Sequence, residues 1–181
     1  VTTIGNGAFS NCDSLTSIDI SSGVTTIGNR AFAECDNLTS VYLGKNLTTI
    51  GDEAFFNCNS LKNADIPNGV ITIGKGAFED CRSLTSVYIP DSVITIGESA
   101  FSNCDRVTSV NIGTGVTMIE IYAFGSCSYL RYIRFRDSST WYVTENLEDW
   151  KNKTGGKQMD VTDSSENVVK LRDQKYYWYK L

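Results

Sequence analysis

Six cysteines stand at positions 12, 35, 58, 81, 104 and 127, separated by 23 residues every time. Thiols in such number can pair as disulfides, hold zinc, or simply pack. Spacing decides among these. Zinc ligands come as close pairs converging on one point, whereas these residues fall in a line. In a stack of identical units, equivalent side chains point the same way and repeat at about 4.8 Å. A disulfide needs Cβ atoms about 3.8 Å apart and converging. The cysteines therefore read as a ladder of buried thiols, each filling a small apolar niche and offering a weak S–H donor to a turn.

Other chemistry is sparse. The chain has no histidine, which removes the commonest general base and metal ligand. Asp19 and Asp65 recur two units apart, about 9.6 Å at the stacking interval, near the roughly 6.5–9.5 Å of inverting glycosidase pairs. The face that carries them reads as shallow, and nothing in the pattern desolvates either acid. Asp160, Asp163 and Glu166 do not follow a calcium-loop pattern and read as solvated surface. No metal ligand, cofactor or catalytic residue is assigned, and the chain reads as non-enzymatic.

The elements behind this spacing are copies of one unit. Cutting at Val1, Val24, Leu47, Val70, Val93 and Val116, and ending at Ser138, gives six units with the consensus V-T-T-I-G-x-x-A-F-x-x-C-x-x-L-T-S-V-x-I-x-x-x. Such a period means one structural unit stacked on itself, a solenoid without a central site. Columns that stay apolar face the shared interior: the Ile4, Phe9, Cys12, Leu15, Ile18 and Ile20 series, with an Ala before each Phe. The L-x-x-V-x-I stretch alternates with period two and predicts a short parallel-stacked strand. V-T-T-I is β-branched and predicts a second short strand or extended turn. Gly5, Gly28, Gly51, Gly74 and Gly97 mark a positive φ or a close backbone approach. The A-F-x-x-C stretch is too short for a full helix and predicts a single helical or 3₁₀ turn. Six Phe rings form a spine.

The I-G-x-x-A-F-x-x-C core followed by L-x-x-V-x-I resembles the leucine-rich repeats of the BspA-like, or Treponema pallidum-type, class. The resemblance covers residues 1–138. The family's Pro after the strand survives only as Pro67 and Pro90, with Ser21, Gly44, Gly113 and Arg136 elsewhere. The resemblance implies an α/β solenoid of 23-residue leucine-rich repeats with parallel stacked short β-strands. It also implies a cell-surface or extracellular setting, adhesion and protein binding.

Columns that vary freely face water or a ligand. The residue between the two inward strand positions reads Asp19, Tyr42, Asp65, Tyr88, Asn111 and Arg134. Rigid aromatics beside charge suit recognition, so these six are the candidate partner-binding residues, and a host or neighbouring-cell surface protein is the expected partner. Equally, Tyr simply suits a strand.

Residues 139–181 lose the period and read as a small β-rich C-terminal cap on residues 1–138. A solenoid needs one because an open end exposes core and strand edges. Expected elements are strands at 141–143, 159–161 and 176–181, a short helical turn at 146–152, another at 164–171, and a turn at Thr154-Gly155-Gly156. All three Trp lie in this segment. They either staple the cap to the sixth unit or offer Trp141, Trp150 and Trp178 as a sugar-stacking surface. The sixth unit departs from the others at Glu120, Ile121, Tyr122, Phe135 and the trio Arg131, Arg134 and Arg136, which predicts packing against the C-terminal segment. Three sequons, at Asn37, Asn46 and Asn152, bear on a eukaryotic secretory route only.

Charge narrows the partners. Net charge is −5, residues 1–138 carry 14 acids and 9 bases, and residues 139–181 carry 7 of each. A phosphate-binding surface needs the opposite sign, so nucleic acid is not expected. No apolar run approaches the roughly 20 residues that span a bilayer. Val1 opens mid-pattern, as in a piece of a longer protein. A structural spacer within a larger surface protein is therefore an alternative to a binding module.

Overall fold

Each unit contributes two short strands, and the units stack in register. The computed structural model describes residues 1–162, 164–172 and 175–181. The V-T-T-I segments form β1 (Thr3–Ile4), β3 (Thr26–Ile27), β5 (Thr49–Ile50), β7 (Thr72–Ile73), β9 (Thr95–Ile96) and β11 (Met118–Ile119). The L-x-x-V-x-I segments form β2 (Ser17–Asp19), β4 (Ser40–Tyr42), β6 (Asn63–Ala64), β8 (Ser86–Tyr88), β10 (Ser109–Ile112) and β12 (Tyr132–Phe135). Pairing between repeats is parallel and displaced by one period, as where Ile50 lies beside Ile73 and Val110 beside Ile133. The chain is thus a parallel β-solenoid, as the period predicts.

The Phe and Cys columns fill its interior. Successive rings from Phe9 to Phe124 stack nearly parallel with centroids 5.1–5.4 Å apart. That spacing is close to the strand separation that imposes it. Five of the six thiols bond backwards: Cys35, Cys58, Cys81, Cys104 and Cys127 donate to the carbonyls of Phe9, Phe32, Phe55, Phe78 and Phe101 at 3.1–3.3 Å. All six cysteines are free, and all but Cys12 are buried. Burial pushes the Cys58 and Cys127 thiols up to about 12, so these are inert packing groups rather than nucleophiles.

Between the Gly and Cys columns the chain makes no helix, which corrects the expected helical turn. Two positions per unit, two before and two after each Phe, are left-handed: Arg30 and Glu34, Glu53 and Asn57, Ser99 and Asn103, with Gly7 and Gly76 taking the earlier position in their units. Left-handed residues cannot propagate a right-handed helix. Their alternation instead turns successive N–H groups along the stack. Phe32, Phe55 and Phe78 donate to the carbonyls of Ala54, Ala77 and Ala100 in the following unit at 2.8 Å. The turns form a third inter-repeat ladder. The Gly5 column serves close approach and not positive φ: a Cβ at Gly74 would lie 2.6 Å from the Gly51 carbonyl carbon.

That ladder explains Glu120. Asn6, Asn29 and Asp52 accept from the backbone N–H of residues 29, 52 and 75 at 2.8–3.0 Å. Lys75 has no acceptor to offer the next N–H, that of Glu98. Glu120, in place of glycine, reaches back and accepts it at 3.2 Å. The substitution mends the ladder behind it, and its carboxylate also lies near enough to Tyr177 of the C-terminal segment to help raise that phenol's pKa, after burial and Glu98.

The aperiodic segment holds β13 (Trp141–Thr144), α1 (Leu147–Asn152), β14 (Lys157–Met159), α2 (Ser164–Arg172) and β15 (Tyr177–Lys180). Asn146 caps α1 by accepting from the N–H groups of Glu148 and Asp149. The expected strand at 159–161 lies earlier, at β14, and the expected turn at 164–171 is a nine-residue helix. β15 pairs antiparallel with β11, placing Trp178 beside Ile119. The V-T-T-I sheet therefore continues through the tail in the order β1-β3-β5-β7-β9-β11-β15-β13-β14. Phe135 of the last repeat packs on Trp141 and Trp178, with centroids at 5.0 and 5.6 Å. Lys180 fixes the end of β15, donating to the Asp137 carboxylate at 2.7 Å and the Thr114 carbonyl at 2.6 Å.

Candidate functional site

The strand column expected to meet a partner does point outward. Inward Val41, Val87, Val110 and Ile133 are buried, while Asp19, Tyr42, Asp65, Tyr88 and Arg134 are exposed and Asn111 is half-buried. The column is not one continuous surface, however. The strands form two three-stranded sheets, β2-β4-β6 and β8-β10-β12. The joint falls between Asp65 and Tyr88. There the Thr85 N–H reaches the Lys62 carbonyl at 3.4 Å, against 2.9–3.1 Å at the equivalent bonds on either side. Ala64 stands at this joint where the other units carry Val or Ile, and the smaller side chain fills less of the pleated surface that holds strands together.

The two halves differ in chemistry. In the first, Tyr42 is 65% exposed between Asp19 and Asp65, and its ring and hydroxyl meet no side-chain partner among the described residues. In the second, Arg136 donates to the Tyr88 hydroxyl at 2.5 Å and to Asp91 at 3.0 Å, with its guanidinium over the Tyr88 ring at 5.5 Å. A backbone bond from the Thr114 N–H, with Arg136 beside it, holds the Asp91 carboxyl below the usual range. The two tyrosines, alike in sequence, are thus one free and one engaged. Arg136 sits where the consensus has Pro, and its reach across two repeats is not a packing contact with the tail.

The sixth repeat also corrects the expectation of a shallow face throughout. A cleft of about 870 Å³ opens over β10 and β12, with Ser109, Asn111, Tyr132 and Arg134 on its floor and Val161 and Thr162 as a wall. The tail supplies that wall, so a segment read only as a cap also shapes the strand face. Tyr132 is 67% exposed. Asp137 lies at the rim; burial alone would raise its pKa, but bonds from Lys180 and Ser139 outweigh that and lower it.

The remaining candidates separate cleanly. Trp141, Trp150 and Trp178 are all buried; a sugar-stacking face needs an exposed ring, so these indoles form the tail's core instead. Asp160 accepts from the Thr162 N–H and hydroxyl, Glu166 pairs with Lys157, and Asp163 lies outside the described residues. Among the described residues no cluster of acids, thiols or histidines could hold a metal, and no helix is long and apolar enough to cross a membrane. At the sequons, the Asn37 and Asn46 amides donate to carbonyls of the preceding repeat.

Comparison with known proteins agrees with this geometry. Residues 2–131 match the family model of the BspA type leucine rich repeat region in six copies. Among solved structures, the chain is similar to a T. pallidum leucine rich repeat protein, with 33% identity and a TM-score of 0.71 over 74% of this chain and 62% of that one. A leucine-rich repeat protein from Bacteroides ovatus is 33% identical with a TM-score of 0.63, covering 75% of this chain and 41% of its own. A leucine rich cell surface protein from Faecalibacterium prausnitzii is 30% identical with a TM-score of 0.59, covering 77% and 44%. The chain therefore spans about three-fifths of the first and less than half of the others. No curated protein matches it.

Proposed function

We propose that this chain, which belongs to the BspA-type leucine-rich repeat family, is a non-enzymatic binding module of a cell-surface or secreted protein. It presents Asp19, Tyr42, Asp65, Tyr88, Asn111 and Arg134 to a protein partner. The observation carrying this reading is where the chain varies. Six copies hold their inward columns nearly constant, while the outward strand column runs through acid, aromatic, amide and guanidinium. Packing demands the first and tolerates anything soluble at the second. An exposed rigid aromatic flanked by charge provides contact area at low entropic cost. The similar F. prausnitzii protein is described as a cell surface protein, which supports the setting.

The non-enzymatic part of the reading rests on the side chains available. The residues lining the cleft include one carboxylate, Asp137, and it is tied to Lys180. All the thiols except Cys12 are buried, and burial keeps them protonated. Neither arrangement supplies a nucleophile with a base beside it.

Tyr42→Ala tests the proposal, because among the described residues Tyr42 has no ring pair or side-chain hydrogen bond to lose. Proteins captured from surface extracts by the native chain should bind the variant at least about tenfold more weakly, with thermal melting unchanged. Equal binding by Tyr42→Ala and by Asp65→Ala would leave the strand face without a ligand and favour the structural spacer.

A further inference from the structure

We infer that the cleft of the sixth repeat is a docking site for an acidic peptide segment, with Arg134 as its carboxylate anchor. This rests on the strand-face reading and narrows it to one subsite and one partner chemistry.

The charges around the cleft are mostly cancelled from within. Arg136 is paired with Asp91, and Asp137 with Lys180. Arg134 is exposed and has no ion pair among the described residues, in a chain whose net charge is −5. Among the charged residues lining the cleft, Arg134 is the one without an ion pair among the described residues. A guanidinium presents a planar fork of donors that matches a carboxylate in two parallel hydrogen bonds. Asn111 and Ser109 lie on the neighbouring strand as further hydrogen-bonding groups.

Geometry points to an extended peptide. Tyr132 and Arg134 sit two residues apart on one face of β12, so they are separated by roughly 6.7 Å. A peptide extended along β12 has the same period on its own inner face. An Asp or Glu seated on Arg134 then places the side chain two residues away over the Tyr132 ring. Val161 closes the cleft on the tail side. The preferred partner sequence is an acid and an apolar residue separated by one position, repeated in either direction.

The test is anisotropy of a fluorescein-labelled peptide repeating Glu-Ser-Val-Ser, which puts Glu and Val alternately on one face of an extended chain, titrated with the full chain. Saturable binding should appear, weaken as salt is raised, and be lost when Gln replaces Glu in the peptide. Arg134→Ala should weaken it at least about tenfold. Arg134→Lys, which keeps the charge but not the fork, should fall between. Absence of saturable binding, equal binding by Arg134→Ala, or binding of oligogalacturonate in place of the peptide would each overturn the assignment. Lys151→Ala, a charge change outside the cleft, should leave this titration unchanged. Loss of Tyr42-dependent capture with retention of the Arg134-dependent titration would therefore count against the wider face alone, and the reverse against this subsite alone.

Discussion

The repeats and the tail solve the same problem by opposite means. In the repeats, each unit is templated by a copy of itself, so the bonds between units join residues about one period apart and every interface is nearly the same. Small buried groups suffice because the pattern repeats: a ring, a thiol and a few aliphatics per unit. The tail has no copy to stack on. It reverses chain direction, lays β15 antiparallel on β11, and builds its core from three indoles and Phe135. Regularity can be extended by addition, whereas an ending must be made from different residues.

The largest expected difference between the two regions is in alkali. Five buried thiols lie in the repeats and none in the tail. Cys58 and Cys127 are raised from 9.0 to about 12, and burial raises Cys35, Cys81 and Cys104 as well. Below 9 both folded and unfolded chains hold these protons, so stability is independent of them. Between 9 and about 12 only the unfolded chain releases the Cys58 and Cys127 protons, and stability falls by about 1.4 kcal/mol per pH unit for each of these two, with the other three adding in the same direction. The urea midpoint should be level up to about 9 and drop steeply above it. Replacing Cys58, Cys81 and Cys104 by Ala should flatten that drop.

Core truncation separates the regions next. Phe78→Ala and Trp178→Ala should each cost about 3–5 kcal/mol. Their signatures should differ, because repeat arrays couple through neighbours. All tryptophans lie in the tail, so indole fluorescence reports the tail while circular dichroism reports mainly the repeats. Phe78→Ala should split the two urea transitions, with fluorescence the later. Trp178→Ala should bring the fluorescence change first.

A smaller effect is expected at the seam. Lys180→Ala removes a charged bond to Asp137 and should cost about 1.5–3 kcal/mol, read in the fluorescence transition. Asp137 is held below its ordinary 3.8, so its contribution is present above that pH and lost as pH falls through the lowered folded value. Acid should therefore weaken the native tail through this range, while Lys180→Ala, which has already lost the bond, should lose little more.

The smallest effect is a gain. Ser99 occupies a left-handed position at φ 56° that Gly7 and Gly76 fill in their own units. Ser99→Gly relieves about 1–2 kcal/mol of left-handed strain against about 0.5–1 kcal/mol of added chain entropy. A net rise of about 0.5 kcal/mol in unfolding free energy is expected.

Legibility in the sequence divides along the same line. Six internal copies act as their own comparison, which is why the buried Phe, Cys and Ile columns, both strands and the outward Asp19-to-Arg134 column were legible. Turn geometry was only partly legible: Gly7, Gly76, Asn11, Asn57, Asp80 and Asn103 are types that take left-handed backbone, but Arg30, Glu34, Glu53 and Tyr122 hold equivalent positions without that signature. The joint at Ala64 depends on a few tenths of an ångström. Arg136 reaches Tyr88 across 48 residues, a contact that no local pattern encodes. In the tail, Trp and Tyr announced a core but not its topology. That β15 would sit between β11 and β13, and that Val161 would wall a cleft, depends on long-range pairing alone.

Reaction of the native chain with iodoacetamide near neutral pH, followed by intact mass, tests the stacked arrangement most directly. One adduct, at Cys12, is predicted, rising to six after denaturation without reductant. Several fast-reacting thiols, or fewer than six in the denatured chain, would contradict a stack of parallel turns with its thiols in line.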